Sequence, residues 1–452
     1  MNERLAIEGG PPAKTTPNIH MFPGGMEIGE EERKEVLEVL DHKYLFRYYG
    51  PEDFPSKVRQ LEVDFAGLIG TKYALAVNSC TSALISALVA VGVGPGDEVI
   101  VPGYTFFASA ASILAAKAIP IIAEVDDSLT LDPKDFEAKI TEKTKAVIPV
   151  HMRGAPCDVD AIMTIAKKHN VKVVEDVAQA CGGSYQTSNH GGTENTEGER
   201  TSNIEHRTPN SQRKRLGSFG DCNAFSLQYH KIITSGEGGI VTTNDEMLYD
   251  RAQAYHDTAA CWRPDRFGLP RYEGEVFPGV NFRMSELAGA VALAQVRKLD
   301  GLLAGMRANK KRIKDQISDL PGLTFRRLND PEGDTAIALI FFVPQSGITA
   351  RFSEALQAEG VGAACMFDKG IPDWHVYAHW KHIIEKVTAT PEGCPYTCPY
   401  YGKPVEYSPD MCPNTLGYLS RSIQIDIPPR MTGEDCDMIA KGIRKVAQAL
   451  LA

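Results

Sequence analysis

Phe225-Ser226-Leu227-Gln228-Tyr229-His230-Lys231-Ile232-Ile233-Thr234-Ser235-Gly236-Glu237-Gly238-Gly239 is a hydroxyl-bearing apolar strand that runs through a lysine into glycine-rich backbone. A lysine on its flexible stem forms a Schiff base with an aldehyde once local cations or desolvation lower its pKa from about 10.4 toward neutrality. Lys231 is therefore the candidate for a covalent link to a cofactor. Ser226, upstream in the same strand, is placed to hold an anion. The glycines that follow let the backbone pass close to a flat ligand in dihedrals that a side chain would forbid.

Working outward, Val171-Lys172-Val173-Val174-Glu175-Asp176-Val177-Ala178-Gln179-Ala180 reads as a short buried strand ending in an acid. Pyridoxal phosphate needs such an acid: a carboxylate against the pyridinium nitrogen keeps it protonated, so that the ring acts as an electron sink. Asp176 takes that role, and Gln179, one turn on, is in reach of the ring hydroxyl. Taken alone, Asp176 would serve equally as a cap on the next helix. A third segment, Asn78-Ser79-Cys80-Thr81-Ser82-Ala83, follows the strand 73–77 and opens an apolar helix over 83–91. Free N–H groups and the helix dipole favour a phosphate there, with Thr81 or Ser82 adding hydroxyl donors, although a plain Ser/Thr cap explains the segment as well. In Val101-Pro102-Gly103-Tyr104-Thr105-Phe106-Phe107, Phe106 is placed to stack on a cofactor ring; an aromatic after a strand also suits a core.

Short β-rich runs (73–77, 98–101, 120–125, 145–150, 172–175) alternate with amphipathic helical runs, which predicts an α/β fold: a mostly parallel sheet covered by helices on both faces. The segments ending near Thr81, Tyr104, His151 and Asp176 then meet at the carboxyl ends of the strands, where such sheets bind ligands. A helical pattern after Glu286, through Val296, Leu299, Leu303, Met306 and Ile313, leads away from the sheet. Beyond it the chain mixes strands (336–343, 422–427) with helices (349–359, 434–451). The 452 residues predict an N-terminal arm over 1–30, a large domain over 31–300 and a smaller α+β domain over 301–452.

Taken together, these motifs resemble the DegT/StrS family of sugar aminotransferases, which have the type I fold of pyridoxal phosphate enzymes. The family's Ser-Gly-Thr-x-Ala is here Ser79-Cys80-Thr81-Ser82-Ala83, its Glu-Asp-x-Ala-Gln/His is Glu175-Asp176-Val177-Ala178-Gln179, and the serine before the lysine and the Gly-Glu-Gly-Gly after it both match. The resemblance covers nearly the whole chain. It implies pyridoxal 5′-phosphate bound by Cys80, Thr81, Phe106, Asp176, Gln179, Ser226 and Lys231, with Lys231 as the base that moves a proton between substrate and cofactor. Asn281-Phe282-Arg283-Met284 resembles the family's Asn-Tyr-Arg-Met, which carries Asn281 over as a contact to the neighbouring subunit's cofactor and implies a homodimer. The implied reaction moves an amino group from glutamate or glutamine to a keto or aldehyde sugar or a keto-cyclitol. Val150-His151-Met152-Arg153-Gly154, Phe46-Arg47-Tyr48, Pro331-Glu332-Gly333-Asp334 and Asp373-Trp374-His375 look most like the members that aminate the 8-position of a 3-deoxy-octulosonate. Arg47 or Arg153 would meet a carboxylate, and His375 with Trp374 would line the sugar site; each is open to a structural reading too, as a surface ion pair or interface packing. Two rivals stay open: a pyridoxamine-dependent dehydratase, whose family relatives carry histidine where Lys231 stands, and a non-catalytic paralogue.

Two features depart from the family pattern. Cys80 replaces the glycine of the phosphate turn. Between Tyr185 and Gly217, where relatives have a tight hairpin, this chain carries a polar, charged and glycine-rich insert over about 187–215 that cannot build a core and reads as a surface loop. Its His190, His206, Arg207, Arg213, Lys214 and Arg215 would alternatively greet an anion. A net charge of -10 argues against nucleic acid as a partner, no stretch is long and apolar enough for a membrane span, and the start Met1-Asn2-Glu3-Arg4 lacks a signal region, so a cytoplasmic enzyme is expected. Among 10 cysteines, Cys394 and Cys398 have no second pair at zinc spacing, so no metal is expected; Cys157, Cys181, Cys222 and Cys365 read as small core residues.

Overall fold

The computed structural model describes residues 3–187, 212–259, 262, 269–367 and 370–451. The strands in chain order are β1 (Tyr73–Val77), β2 (Glu98–Pro102), β3 (Ile119–Ala123), β4 (Thr144–Val147), β5 (Lys172–Asp176), the hairpin β6 (Ser184–Gln186) and β7 (Arg213–Arg215), β8 (Cys222–Ser226) and β9 (Gly239–Thr243). Seven of them form one sheet in the order β1-β9-β8-β5-β4-β2-β3. All pairings from β8 to β3 are parallel, whereas β9 runs antiparallel to both β1 and β8. β1, β2, β4, β5 and β8 therefore end on the same edge.

The strands lack a period-two pattern because both faces are covered: β2, β8 and β9 are buried at every residue. One covering helix, Cys80–Ala90, is apolar nearly all round and buries Leu84, Ala87 and Leu88. Another, Val159–His169, is amphipathic. Asp158 caps its first turn, Lys167, Lys168 and His169 sit in its last, and Asn170 ends it in the left-handed region at φ 54°. At the open edge, β3 holds Pro120, tolerable only where no neighbour needs its N–H. The loop after residue 395 covers this strand, with Tyr407 donating to the Pro120 carbonyl and Tyr396 and Tyr401 packing on Ile119.

The remaining strands, β10 (Thr324–Phe325), β11 (Ala338–Phe342), β12 (Ala363–Cys365) and β13 (Ser422–Asp426), form an antiparallel sheet in the order β10-β11-β13-β12. Its buried residues join the large sheet's: one apolar cluster contains Phe225 of β8 together with Phe341 of β11 and Ile443 of the C-terminal helix Gly433–Leu450. The N-terminal segment is docked on this part of the molecule, with Leu5 buried and the N–H groups of Ala6 and Ala13 donating to the Glu359 carboxylate, which also pairs with Lys445.

The helical pattern after Glu286 is not one helix but two, Glu286–Val296 and Leu299–Asp315. The chain turns at Arg297 and Lys298, where Arg297 pairs with Glu35 and Lys298 with Glu31 and Glu32, tertiary ion pairs that apolar periodicity does not reveal. Cys157, Cys181 and Cys222 are buried as expected of small core residues, but Cys365 is only half-buried.

Candidate active site

Asp176 is the last residue of β5, 4 % exposed, with its carboxylate accepting from Ser109 Oγ at 2.8 Å and from the Ala178 N–H at 3.0 Å. Thr105 Oγ1 lies 2.7 Å behind Ser109 Oγ. Burial pushes the Asp176 pKa up against the pull of these two hydrogen bonds and of the charge on Lys231. Among the described residues it has no cationic partner within ion-pair distance.

Lys231 follows the end of β8, its backbone N–H bonded to the Gln228 carbonyl and its own carbonyl accepting from Gly24 N–H. Burial pushes its amine down; the Asp176 carboxylate opposes this, and the Arg153 guanidinium adds to it. No carboxylate pairs with its Nζ among the described residues. A half-buried amine without a counter-ion and a buried carboxylate without a cation, each feeling the other's charge, form a gap that an aldehyde and a protonated heterocycle would fill. The donor set therefore fits pyridoxal phosphate.

The helix Cys80–Ala90 starts where β1 ends. Ser79 caps it, its Oγ accepting from the Ser82 N–H, while Ser82 Oγ donates to Asn78. The Ser82 hydroxyl is thus spent inside the turn, leaving the first-turn N–H groups of Cys80 and Thr81 and the Thr81 hydroxyl as donors for a phosphate. Cys80 needs no glycine-like backbone, since its dihedrals are helical; its thiol is buried and its pKa is pushed well up. The glycine requirement lies across from it. A Cβ on Gly239 would fall 2.4 Å from the Ser79 carbonyl oxygen, so the Gly-Glu-Gly-Gly run lets β9 approach the helix start, a protein contact where the sequence suggested a ligand. Ser226 ends β8, buried, its Oγ accepting from Gln228 N–H.

Arg153 sits beyond β4 with a left-handed backbone (φ 52°, ψ 39°), held by three contacts: its N–H donates to Gln179 Oε1, its carbonyl accepts from Arg326, and its Nε donates to Tyr104 Oη at 3.2 Å. Such strain in a non-glycine residue persists only where the surroundings over-determine it. The guanidinium has no carboxylate partner among the described residues, and neither does that of Arg326, which is bound to the carbonyls of Met152 and Arg153. Gln179 has its oxygen engaged by Arg153, and its amide N–H groups make no hydrogen bond among the described residues. Phe106 is 48 % exposed at the start of the helix Phe107–Ala115, so it is not a core residue, and its ring contacts His375 at 5.3 Å. Asn281 is exposed, its Oδ1 accepting from Arg283 N–H.

Arg47 does not belong to this group. It is 8 % exposed, ion-paired with Glu62 at 2.5 Å and donating to the Ala76 carbonyl, so its charge is satisfied inside the protein and unavailable to a substrate carboxylate. Of the insert cations named as an alternative anion site, two are already paired. Arg213 pairs with Asp330 and Glu332 and Arg215 with Asp300, while His190, His206 and Arg207 lie outside the described residues. Sequence reading missed Ser109 and Arg326, and quoted Tyr104 and Asp373 without a role of their own; Ser109 left a local signal, one turn beyond Thr105 in the segment that carries Phe106.

A family model, the DegT/DnrJ/EryC1/StrS aminotransferase family, matches residues 26–394. The chain belongs to this family. The spore coat polysaccharide biosynthesis protein SpsC of Bacillus subtilis is 33 % identical over 439 residues, covering 95 % of this chain and 98 % of its own. GDP-perosamine synthase of Caulobacter vibrioides is 37 % identical over 279 residues, 60 % of this chain and 63 % of that protein. Among solved structures, the aminotransferase from Psychrobacter cryohalolentis superposes with a TM-score of 0.74 at 27 % identity, over 94 % of this chain and 98 % of its own. The DegT-family chain is a pyridoxal-phosphate-dependent aminotransferase of the type I fold, acting on a small amino donor and a sugar in amino-sugar biosynthesis. No helix among the described residues is long and apolar enough to cross a membrane.

Proposed function

We propose that this aminotransferase transfers the amino group of glutamate or glutamine to the carbonyl of an acidic sugar, an 8-oxo-3-deoxy-octulosonate, as a cytoplasmic homodimer in which Asn281 of each copy completes the other's cofactor site. The observation that carries the acidic acceptor is the Arg153 guanidinium, half-buried, without a carboxylate partner among the described residues, and close enough to Lys231 and His375 for its charge to bear on both. A planar fork of donors held in that state matches a carboxylate bidentately.

Bound pyridoxal phosphate supplies an aldehyde for the lysine and an electron sink. The chain's own residues do the rest. Asp176 holds a proton on the ring nitrogen, and Ser109 and Ala178 N–H fix the orientation of its carboxylate. The N–H groups of Cys80 and Thr81, with the Thr81 and Ser226 hydroxyls, would hold the phosphate, and Gln179 and Phe106 would hold the ring. Lys231, its amine pushed toward the neutral form, takes the proton from the substrate carbon and returns it on the other side of the nitrogen. Its presence in register with both flanking motifs favours transamination over the dehydratase reading. The nine cysteines described are all free, which suits a reducing compartment.

A nucleotide-linked keto sugar is the second reading, favoured by the GDP-perosamine synthase relative. A panel of 8-oxo-3-deoxy-octulosonate, nucleotide-linked keto sugars and keto-cyclitols, run with labelled glutamate and glutamine, separates the two. We expect label in the octulosonate, and Arg153→Gln to raise KM for it by roughly 10 to 100-fold, the worth of one charged hydrogen-bonded contact. Amination confined to nucleotide-linked sugars, or a KM that ignores the substitution, sinks the acidic-acceptor reading.

A further inference from the structure

Asp373-Trp374-His375 is the part of the site that the proton chemistry of Lys231 leaves unused. The segment is anchored to the large sheet's carboxyl edge: Thr105 N–H donates to the His375 carbonyl at 2.9 Å, Phe107 N–H to the Trp374 carbonyl at 2.9 Å, and Tyr104 and Val376 form an isolated β-bridge. The loop is thus fixed to the same stretch that carries Phe106, and the His375 ring lies against the Phe106 ring.

Within the loop the imidazole is orientated by one acid. Asp373 Oδ1 accepts from the His375 backbone N–H at 2.9 Å and contacts His375 Nδ1 at 2.8 Å. A carboxylate at Nδ1 fixes the proton there, so Nε2 keeps its lone pair. Nε2 has no hydrogen-bond partner among the described residues and the side chain is 23 % exposed, so the lone pair is accessible. Burial foremost, with the charges of Arg153 and Lys231, keeps the ring neutral, while Asp373 favours the imidazolium when it forms. This is the arrangement of a base that becomes an acid in the next step.

We infer that His375, positioned by Asp373, is a second acid–base group of the reaction: it carries protons between the incoming or departing water and the substrate nitrogen. Release of a keto acid requires water to add across a carbon–nitrogen double bond. The water oxygen bonds to carbon, Nε2 takes a water proton and hands it to the nitrogen. Nε2 then takes the remaining hydroxyl proton as the carbon–oxygen double bond forms, and returns it to the nitrogen as the carbon–nitrogen bond breaks. Two protons reach nitrogen, the oxygen stays on carbon, and the imidazole ends as it began. Amination of the sugar carbonyl runs the same steps backward and expels water. Lys231 is left with the proton shift at carbon, so the two groups divide the reaction between them. The inference rests on the proposed site and donor.

That division makes the steps separable. Cofactor-loaded enzyme in D₂O, given L-glutamate or L-glutamine, exchanges the donor's α-proton through Lys231 alone, whereas keto-acid release needs His375. We expect His375→Gln to keep α-deuterium exchange within about threefold of native while keto-acid release falls by about 10² to 10⁴-fold, the usual range for a general acid–base group. Lys231→Ala should lose both. Release that is unchanged in His375→Gln, or that falls in parallel with exchange, overturns the inference. A native enzyme that exchanges no α-proton with either donor overturns the donor and site assignments, and this inference with them. A readout independent of turnover is the imidazole tautomer in cofactor-free, ¹⁵N-histidine-labelled protein, the His375 signal being identified by its absence in His375→Gln. Nδ1 protonated and Nε2 bare at neutral pH is expected, and the reverse tautomer overturns the assignment. Asp373→Asn should move that signal toward a tautomer mixture, whereas a merely structural Asp373 would leave it in place.

Discussion

At the residue scale the site is a set of charges that the protein alone does not balance. Among the described residues, Asp176 is buried with two hydrogen bonds and no ion-paired cation, Lys231 has no counter-ion, and Arg153 has no carboxylate within ion-pair distance. Because burial lifts the Asp176 pKa above its unfolded value, the folded state binds more protons than the unfolded one across that window. Stability therefore falls as pH rises through it, and the deficit is fully present above. Asp176→Asn removes the deficit. In cofactor-free protein we expect it to raise stability at pH 7 by on the order of 1 kcal/mol in urea unfolding, a gain that vanishes below about pH 4, where both states are protonated anyway. The same substitution should cost most of the activity, because an amide cannot hold the ring proton. A neutral-pH stability equal to or below native would show that the carboxylate is already compensated within the chain.

At the scale of elements, the phosphate seat depends on how one helix begins. Ser79 closes the first turn of Cys80–Ala90 by accepting from the Ser82 N–H, which aims the uncapped N–H groups outward, and Gly239 lets β9 lie against that turn. Ser79→Ala should cost about 1 kcal/mol of global stability, as for other N-caps, and should weaken pyridoxal phosphate binding measurably by equilibrium dialysis. A loss of stability with unchanged cofactor affinity would separate the cap from the seat. Elements of this kind were legible in the sequence because each is local. An apolar run that stops at an acid, a capping serine or a lysine before glycines shows within ten residues, and the structure brings the ends of β1, β2, β4, β5 and β8 to one edge. What stayed hidden depends on distant partners. Glu62, which claims Arg47, lies 15 residues further on, in the helix Lys57–Ile69. Tyr104 and Arg326 around Arg153, and the ion pairs at Arg297 and Lys298 where the helical run after Glu286 is divided, leave no periodic trace.

At the scale of the whole molecule, the described ends of the insert form a paired stem. β6 and β7 pair in register, Ser184 with Arg215, Tyr185 with Lys214 and Gln186 with Arg213. Arg213 and Arg215 are spent on Asp330, Glu332 and Asp300, which ties the stem to the rest of the protein. Just beyond the stem, Glu175 accepts from the N–H groups of Gly217, Phe219 and Gly220 and contacts His151, so the return into β8 is pinned to β5, the strand that presents Asp176. The stem and its anchors are complete without residues 188–211. Replacing those residues by a two-residue Asn-Gly turn shortens a loop whose closure entropy changes only slowly with length, and gives the hairpin a turn matched to its twist. The shortened protein should therefore unfold within about 1 kcal/mol of native and keep kcat/KM for its donor within roughly threefold. A drop confined to KM for the sugar, with stability and donor kinetics intact, would instead make the insert part of the acceptor site and overturn its reading as a surface excursion.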